Sequence, residues 1–262
     1  MTVNTDPQPQ TDERLAALES EVRRLRDVES IRRLQNMYGY YLDENRADDL
    51  IDLYTRNEPR FYFRGGAYIG RAGLERFYKH TIAAVFGYTK TGPMNGTLAS
   101  HYQLQDVVDV AEDGTTAVGR FELLQLTLVH PGRAGWSSAL YDIDYVNEGG
   151  VWKFQSLRYT HLWSLANTPD SELFPLPEDA PAGPPPGPVL FPEDPLGPDR
   201  LDDRPLHIPF PMRASVPLRF PNPVTGREWP IGLAQTESRP PGATDASMSA
   251  SSRPSPGASS YS

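Results

Sequence analysis

The order of hydropathy patterns along this chain of 262 residues predicts an α+β fold followed by a proline-rich extension. Three observations carry that reading. Helical periodicity is concentrated before residue 87, and four long β-type runs follow residue 100; helices grouped early and strands grouped late argue against alternating α/β. Turn signals separate the β runs at hairpin intervals: Glu112-Asp113-Gly114, Pro131-Gly132 and Gly149-Gly150. Of 27 prolines, five precede residue 165 and 22 follow it. Proline lacks an N–H and fixes φ, so that density excludes helix interiors and central strands. The expected organisation is a leader and exposed helix over 1–26, a folded domain over 27–164, a proline-rich docked extension over 165–235 and a disordered tail over 236–262.

Taken in order, residues 1–10 read as a disordered leader. From Thr11 the pattern turns helical, with Leu15, Leu18, Val22 and Leu25 at three- and four-residue spacing. After Asp27 the apolar register shifts to Val28, Ile31, Leu34, Tyr38 and Tyr41. This fits either an exposed helix that packs on a partner subunit followed by the domain's first helix, or one long surface helix. Asn45 is placed to cap a short helix, ADDLIDLYT. FYFRGGAYIG reads as two short strands around Gly65-Gly66, and Gly70–Phe86 as a third helix. Residues 87–99 read as a loop, and HYQLQDVVDV, TTAVGRFELLQLTLVH, WSSALYDIDYVNE and VWKFQSLRYTHLW as the meander. Large apolar residues persist through the prolines to about residue 232, which predicts an extended segment lying across the domain or a neighbouring subunit.

Composition excludes several functions. The chain carries a formal charge of −9, and neither the domain nor the tail has the basic surplus that nucleic acid demands. Cysteine is absent, which removes thiolate nucleophiles and Cys-ligated metals. No run approaches the ~20 apolar residues of a membrane span. The polar, acidic start MTVNTDPQPQTDE is unlike a secretory signal. These features predict a cytoplasmic protein with no membrane or nucleic-acid partner. There is no phosphate loop, GxGxxG or GxSxG, and the five histidines show no metal-binding spacing, so neither metal nor cofactor is expected.

Four patterns in sequence order resemble the NTF2-like superfamily, which includes SnoaL-like, scytalone dehydratase-like and ketosteroid isomerase-like proteins. They are IRRLQNMYGYYLDENRADDLIDLYT, GRAGLERFYK, SHYQLQDVVDVAEDGTTAVGRFELL and GVWKFQSLRY, spanning about residues 27–163. The resemblance implies a curved antiparallel sheet with helices closing a conical apolar pocket. It implies a cofactor-independent site, with His101 as catalytic base or acid and the pair Tyr38 and Asp43 beside it. It also implies a homo-oligomer, dimer or trimer. RFPNPVTGREWP in the tail resembles the extensions of bacterial lyases that remove water and formaldehyde from lignin-derived diarylpropane diols to give stilbenes.

The residues themselves add to this. On a period-2 strand His101, Gln103 and Gln105 share one face, which suits a polar pocket wall more than an apolar core. The following strand offers Phe121, Leu123, Gln125 and Thr127 on one face, with His130 beyond. Tyr141 and Tyr145 alternate with Asp142 and Asp144; the tyrosine face is expected inside, the acidic face exposed or engaged by arginines across the sheet. Tyr159 and His161 share a face that Trp163 continues. Tyr41, Tyr62, Arg64 and Tyr68 are candidate groups around the pocket. Each has a bland alternative: Asp43 as a solvent-facing or capping carboxylate, Tyr38 as core, His101 as an edge histidine on a backbone carbonyl. The functional expectation is a lyase using acid–base chemistry on a hydroxylated aromatic substrate. A dehydratase or isomerase of a polyketide- or steroid-like substrate, and a non-enzymatic binding or dimerisation module, are the alternatives.

Overall fold

The computed structural model describes residues 7–86, 90–129, 133–166, 192–204 and 216–228, with side chains from residue 11 onward except at 85, 86, 133 and 166. The chain divides into two compact units, residues 1–211 and 212–262.

In the first unit, α1 runs unbroken over Pro7–Asp43. The register change at Asp27 therefore marks where one helix meets the sheet. Every residue from 11 to 26 is exposed, whereas Ile31, Gln35 and Tyr38 are buried. The helix begins inside the expected leader, because Pro7 and Pro9 fall in a first turn whose N–H groups have no intrahelical partner to lose. The short helix α2 (Ala47–Asp52) is not capped by Asn45. Asn45 adopts φ 47° and its amide donates to the Lys90 carbonyl at 2.8 Å, so it shapes the turn instead.

Strands β1 (Arg60–Phe63) and β2 (Gly66–Ile69) form a hairpin. Its turn is Arg64-Gly65, with φ 47° and 82°, one residue earlier than expected. Gly66 lies in β2, where a Cβ would come within 2.6 Å of Pro198. Helix α3 (Gly70–Glu75) continues through a π-helical turn (Arg76–Thr81) into α4 (Ile82–Phe86). The extra residue of a π turn brings Phe77 and Tyr78 inward together, with Thr81.

The meander follows as β3 (Thr97–Val110), β4 (Thr116–Val129), β5 (Arg133–Glu148) and β6 (Val151–Ala166). Strand β3 begins within the segment expected as loop, since Thr97–Ser100 pair with Leu126–Val129. The sheet is mixed, curved and unclosed, in the order β3-β4-β5-β6-β1-β2-β7, where β7 is Arg200–Leu201. It departs from the expected all-antiparallel sheet because β1 lies parallel to β6, Phe61 opposite Leu157. The β5–β6 turn is Gly149-Gly150, both at positive φ, as the mirror-image two-residue turn requires.

Three register shifts interrupt the meander: one falls at Asp144/Tyr145 of β5, and two move candidate residues off their expected faces. Of these two, one falls between Leu104 and Val107 of β3, and Gln105 within it takes φ 47° and is exposed. Gln105 therefore leaves the face that His101 and Gln103 share. The other falls opposite Ser138/Ala139 and turns Trp163 to pair with Ser138, away from the face of His161. The inner face carries a sealed core of Tyr38, Tyr54, Phe61, Phe77, Tyr78, Phe121, Leu123, Tyr141, Ile143, Tyr145, Phe154 and Leu157. On the outer face, Arg120 holds Asp142 in a bidentate ion pair, both bonds 2.7 Å and both side chains over nine-tenths buried. Asp144 accepts from Ser156.

Within the extension, residues 192–204 belong to this unit. β7 pairs with β2 at Gly66 and Ala67, and Asp199 accepts the Ile69 N–H and pairs with Arg76 at 2.6 Å. Asp202 pairs with Arg158, and the Leu196 carbonyl accepts the Thr81 hydroxyl at 2.8 Å. The remaining apolar residues of the expected docked extension between 167 and 191 and between 205 and 215, and the expected disordered tail over 236–262, lie outside the described residues. In the second unit, residues 222–226 form a turn in which Asn222 Oδ1 accepts the Val224 and Thr225 N–H groups. No helix among the described residues is long and apolar enough to cross a membrane.

Candidate active site

One face of α1 presents Arg32, Gln35, Gly39 and Asp43, spaced three and four residues apart and so aligned along the helix. All four meet β3. Arg32 pairs with Asp106 at 2.6 Å, and Gln35 donates to Gln103 at 2.8 Å. At Gly39 a Cβ would come within 2.9 Å of the His101 carbonyl oxygen and 3.2 Å of Gln103 Nε2. That close approach seats Asp43, one turn on, against His101. A single carboxylate oxygen, Asp43 Oδ1, accepts both the His101 main-chain N–H at 2.9 Å and the ring at Nδ1 at 2.7 Å. A carboxylate there requires the proton on Nδ1, which leaves Nε2 as the basic nitrogen. The His101 side chain is 11% exposed and that of Asp43 23%, so the pair sits at the border of the interior.

Strand register extends a polar row from this pair. His101 lies opposite Gln125, Gln125 opposite Ser137, and Ser137 opposite Ser164. Gln125 donates to the Thr127 hydroxyl at 3.1 Å and accepts from Ser137. His161, one pair further in, bonds the Tyr159 hydroxyl through Nδ1 and the Ser164 hydroxyl through Nε2, both at 3.0 Å. These side chains are partly exposed, unlike the core below them.

Beneath the row lies a chain of phenols. Tyr54 and Tyr38 each share a hydrogen bond with the Tyr78 hydroxyl, at 2.8 and 3.0 Å. The Tyr141 ring stands edge-on to Tyr38 at 5.7 Å and tilted against Tyr159 at 6.0 Å. Burial pushes the Tyr38, Tyr54, Tyr78 and Tyr141 phenols well above their ordinary range, and for Tyr141 the Asp43 carboxylate adds to this. Burial raises Tyr159 to about 12, against a downward pull from the Arg64 guanidinium. All are therefore neutral hydrogen-bond donors at ordinary pH.

The structure thus brings Tyr38, Asp43, His101, Gln103, Gln125, Thr127, Tyr141, Tyr159 and His161 onto or beside one face. Tyr41 is partly buried against the core, with the Arg46 guanidinium over its ring. It places Tyr62 on the opposite face of the sheet, beneath the Arg158 guanidinium at 3.9 Å, because Phe61 takes the inner position of β1. Arg64 is exposed in the hairpin turn, over the Phe63 ring. Tyr68 is buried against Phe77. His130 lies outside the described residues. Among the described residues no three His, Cys, Asp or Glu side chains are grouped to hold a metal. Sequence reasoning missed Tyr54, Tyr78, Gln35, Gly39, Ser137 and Ser164 as site groups. Only the 35-39-43 spacing carried a signal for any of them.

The model of the SnoaL-like domain family matches residues 23–158, over half of the chain. The chain belongs to this family, within the NTF2-like superfamily. Solved structures with a similar fold include a scytalone dehydratase-like protein of Novosphingobium aromaticivorans, at 21% identity over 55% of this chain and 90% of that one, with a TM-score of 0.47. A type 2 hexachlorocyclohexane dehydrochlorinase is 18% identical over 56% and 93%, with a TM-score of 0.48. The type 3 dehydrochlorinase of Novosphingobium barchaimii is 19% identical over 56% and 94%, with a TM-score of 0.47. No curated protein matches the chain. Within this SnoaL-like protein, Asp43 on α1 and His101 on β3 both fall inside the matched span, which leaves out residues 7–22 of the helix.

Proposed function

We propose that this SnoaL-like protein is a cofactor-independent lyase that eliminates water, formaldehyde or both from a neutral, hydroxylated diaryl substrate. One observation carries the reading: Asp43 binds His101 through both the ring and the main chain, fixing an imidazole whose Nε2 is basic beside a row of hydrogen-bonding side chains. An imidazole so held acts as general base and then general acid without a metal. Gln125, Ser137, Ser164 and Thr127 supply uncharged donors and acceptors, which suits hydroxyl groups rather than carboxylates or phosphates. Tyr159, partly exposed and held neutral by burial, is the phenol nearest the row that would donate to a developing phenolate or departing hydroxide, with the sealed Tyr141 packed behind it.

For a 1,2-diarylpropane-1,3-diol with a para phenol the steps balance. His101 Nε2 removes the phenolic proton, the benzylic C–O bond breaks, and hydroxide leaves with a proton as water, giving a quinone methide. Removal of the primary hydroxyl proton then breaks the adjacent C–C bond, releases formaldehyde and returns the electron pair to the ring as a stilbene phenolate. Tyr38 acts here as a positioning residue, through Tyr141.

The test is to incubate the protein with a panel of hydroxylated diaryl and polycyclic compounds and follow ultraviolet absorbance, since elimination extends conjugation. A rise that His101→Ala abolishes supports the reading. Turnover confined to polycyclic ketones would replace it with an isomerase or dehydratase of that class. Binding without turnover across the panel would make the protein a ligand-binding module.

A further inference from the structure

The first turns of α1 stand apart from everything else in the described structure. From residue 11 to residue 26 every side chain is exposed, a rod of 16 residues that spans about 24 Å at 1.5 Å per residue. An isolated helix of this length is marginal in water, because nucleation is costly and no packed face repays it. Yet the rod carries an apolar seam. Leu15, Leu18, Val22 and Leu25 are 55, 61, 46 and 62% exposed. They occupy positions a, d, a and d of two consecutive heptads.

The charges beside the seam select an occupant. With Leu15 at a, Arg14 and Glu21 fall at g, and Glu19 and Arg26 at e. In a parallel, in-register pair each g residue faces the e residue five places on in the partner. Arg14 then faces Glu19 and Glu21 faces Arg26, so all four contacts of the symmetric pair are attractive. In an antiparallel pair centred on the same seam, Glu19 faces its own copy and so does Glu21, which is repulsive. Leu at d in both heptads and Val at the second a also suit two strands. Residues 11–26 hold four acidic and four basic side chains, so the rod lacks the basic polar face of a membrane-surface helix.

We infer that residues 14–26 form a parallel, in-register, two-stranded coiled coil with the same segment of a second copy of this chain. Glu29 and Arg32 occupy the next a and d positions, which ends the seam where the helix reaches the sheet. The pairing depends on none of the residues of the proposed active site.

The chain has no cysteine, so single introduced thiols report the geometry directly. The experiment uses the full chain carrying Leu25→Cys under mild oxidation at micromolar concentration. Because residue 25 faces residue 25 only in the parallel register, this variant should cross-link rapidly to twice 29.2 kDa. Ser20→Cys, at the outward f position, should cross-link about tenfold more slowly or less. Adding Arg14→Glu and Arg26→Glu to Leu25→Cys should suppress self-cross-linking. Mixing that protein with one carrying Leu25→Cys, Glu19→Arg and Glu21→Arg should restore it as a heterodimer, since every g–e pair is again attractive. All substitutions lie on the exposed rod, and an unchanged thermal midpoint confirms an intact domain. Slow cross-linking of Leu25→Cys, equal rates at residues 20 and 25, or self-cross-linking indifferent to charge reversal would each overturn the inference and leave the seam to a different partner.

Discussion

The space over the inner sheet face has two halves that serve opposite ends: helices and strands together build one, and strand alternation builds the other. In one half, Tyr38, Tyr54 and Tyr78 are sealed among Phe61, Phe77 and Phe154, with the Tyr78 hydroxyl bonded to both of the others. In the other, His101, Gln125, Ser137 and Ser164 line up across four strands with partial access to solvent. A buried hydroxyl without a partner costs about 1–3 kcal/mol, so the sealed half must satisfy itself and is stiff as a result. In the open half the polar groups bond one another at the edge of solvent, where a substrate's hydroxyl groups would compete for them. Asp43 stands at the seam between the halves, bonded to His101 on one side and raising the Tyr141 phenol on the other.

The sharpest way to break this comparison is to disturb a sealed polar group that has no part in the chemistry. Arg120 and Asp142 are such a pair, on the outer face. Arg120→Met should cost about 3–5 kcal/mol of stability, because it strands a buried carboxylate. Turnover per folded molecule should stay within a few-fold. Denaturant unfolding beside steady-state kinetics separates the two effects.

Gly39→Ala tests the seam itself. The new methyl group meets the His101 carbonyl, so the helix must move from β3. Overpacking of this kind costs about 1–3 kcal/mol, and the better helix propensity of alanine returns up to ~1. Stability should therefore fall modestly while kcat falls by an order of magnitude or more, a dissociation visible when thermal midpoint and rate are measured on one preparation.

Tyr78→Phe acts on the sealed half. It removes the shared partner of Tyr38 and Tyr54 at an expected cost of about 1–3 kcal/mol. Alkaline titration gives an independent measure. Phenols whose folded pKa lies above the unfolded value near 10 hold their proton more tightly in the folded state. Their stabilisation is complete below pH 10 and is lost as pH rises toward the folded values. Absorbance at alkaline pH should show Tyr159 ionising near 12 and the sealed set only on unfolding. In Tyr78→Phe, alkaline unfolding should begin at lower pH. The smallest effect is expected at Asp199→Asn, which weakens the half-exposed pair with Arg76 that fastens residues 192–204 beside the π turn, at about 1 kcal/mol or less.

Much of this architecture was legible in the sequence, for reasons that can be named. The meander was, because strand period and glycine turns are local signals. The juxtaposition of Asp43 and His101 was reached through family resemblance and not through spacing, since 58 residues separate them. The bulges were not legible. Alternation counts residues without knowing where one is skipped, so Gln105 and Trp163 were assigned to faces they leave. Tyr62 was misplaced for a related reason: in FYF either parity fits, and only pairing with β6 decides that Phe61 points inward. Tyr78 was hidden because an aromatic residue at helical spacing reads as core, and no local rule marks the π turn that aims its hydroxyl at two other phenols.

The central claim is that Asp43 and His101 act as one catalytic unit on the open half of the face. The most direct measurement is kcat for His101→Ala, Asp43→Asn and the double variant on an eliminated diaryl substrate, with folding checked by thermal midpoint. A positioned general base contributes about 10²–10⁴, so each single variant should lose a factor in that range. Because Asp43 works through His101, the double variant should lose little more than the worse single one. Activity within a few-fold of the original in His101→Ala, or losses that multiply in the double variant, would contradict the account.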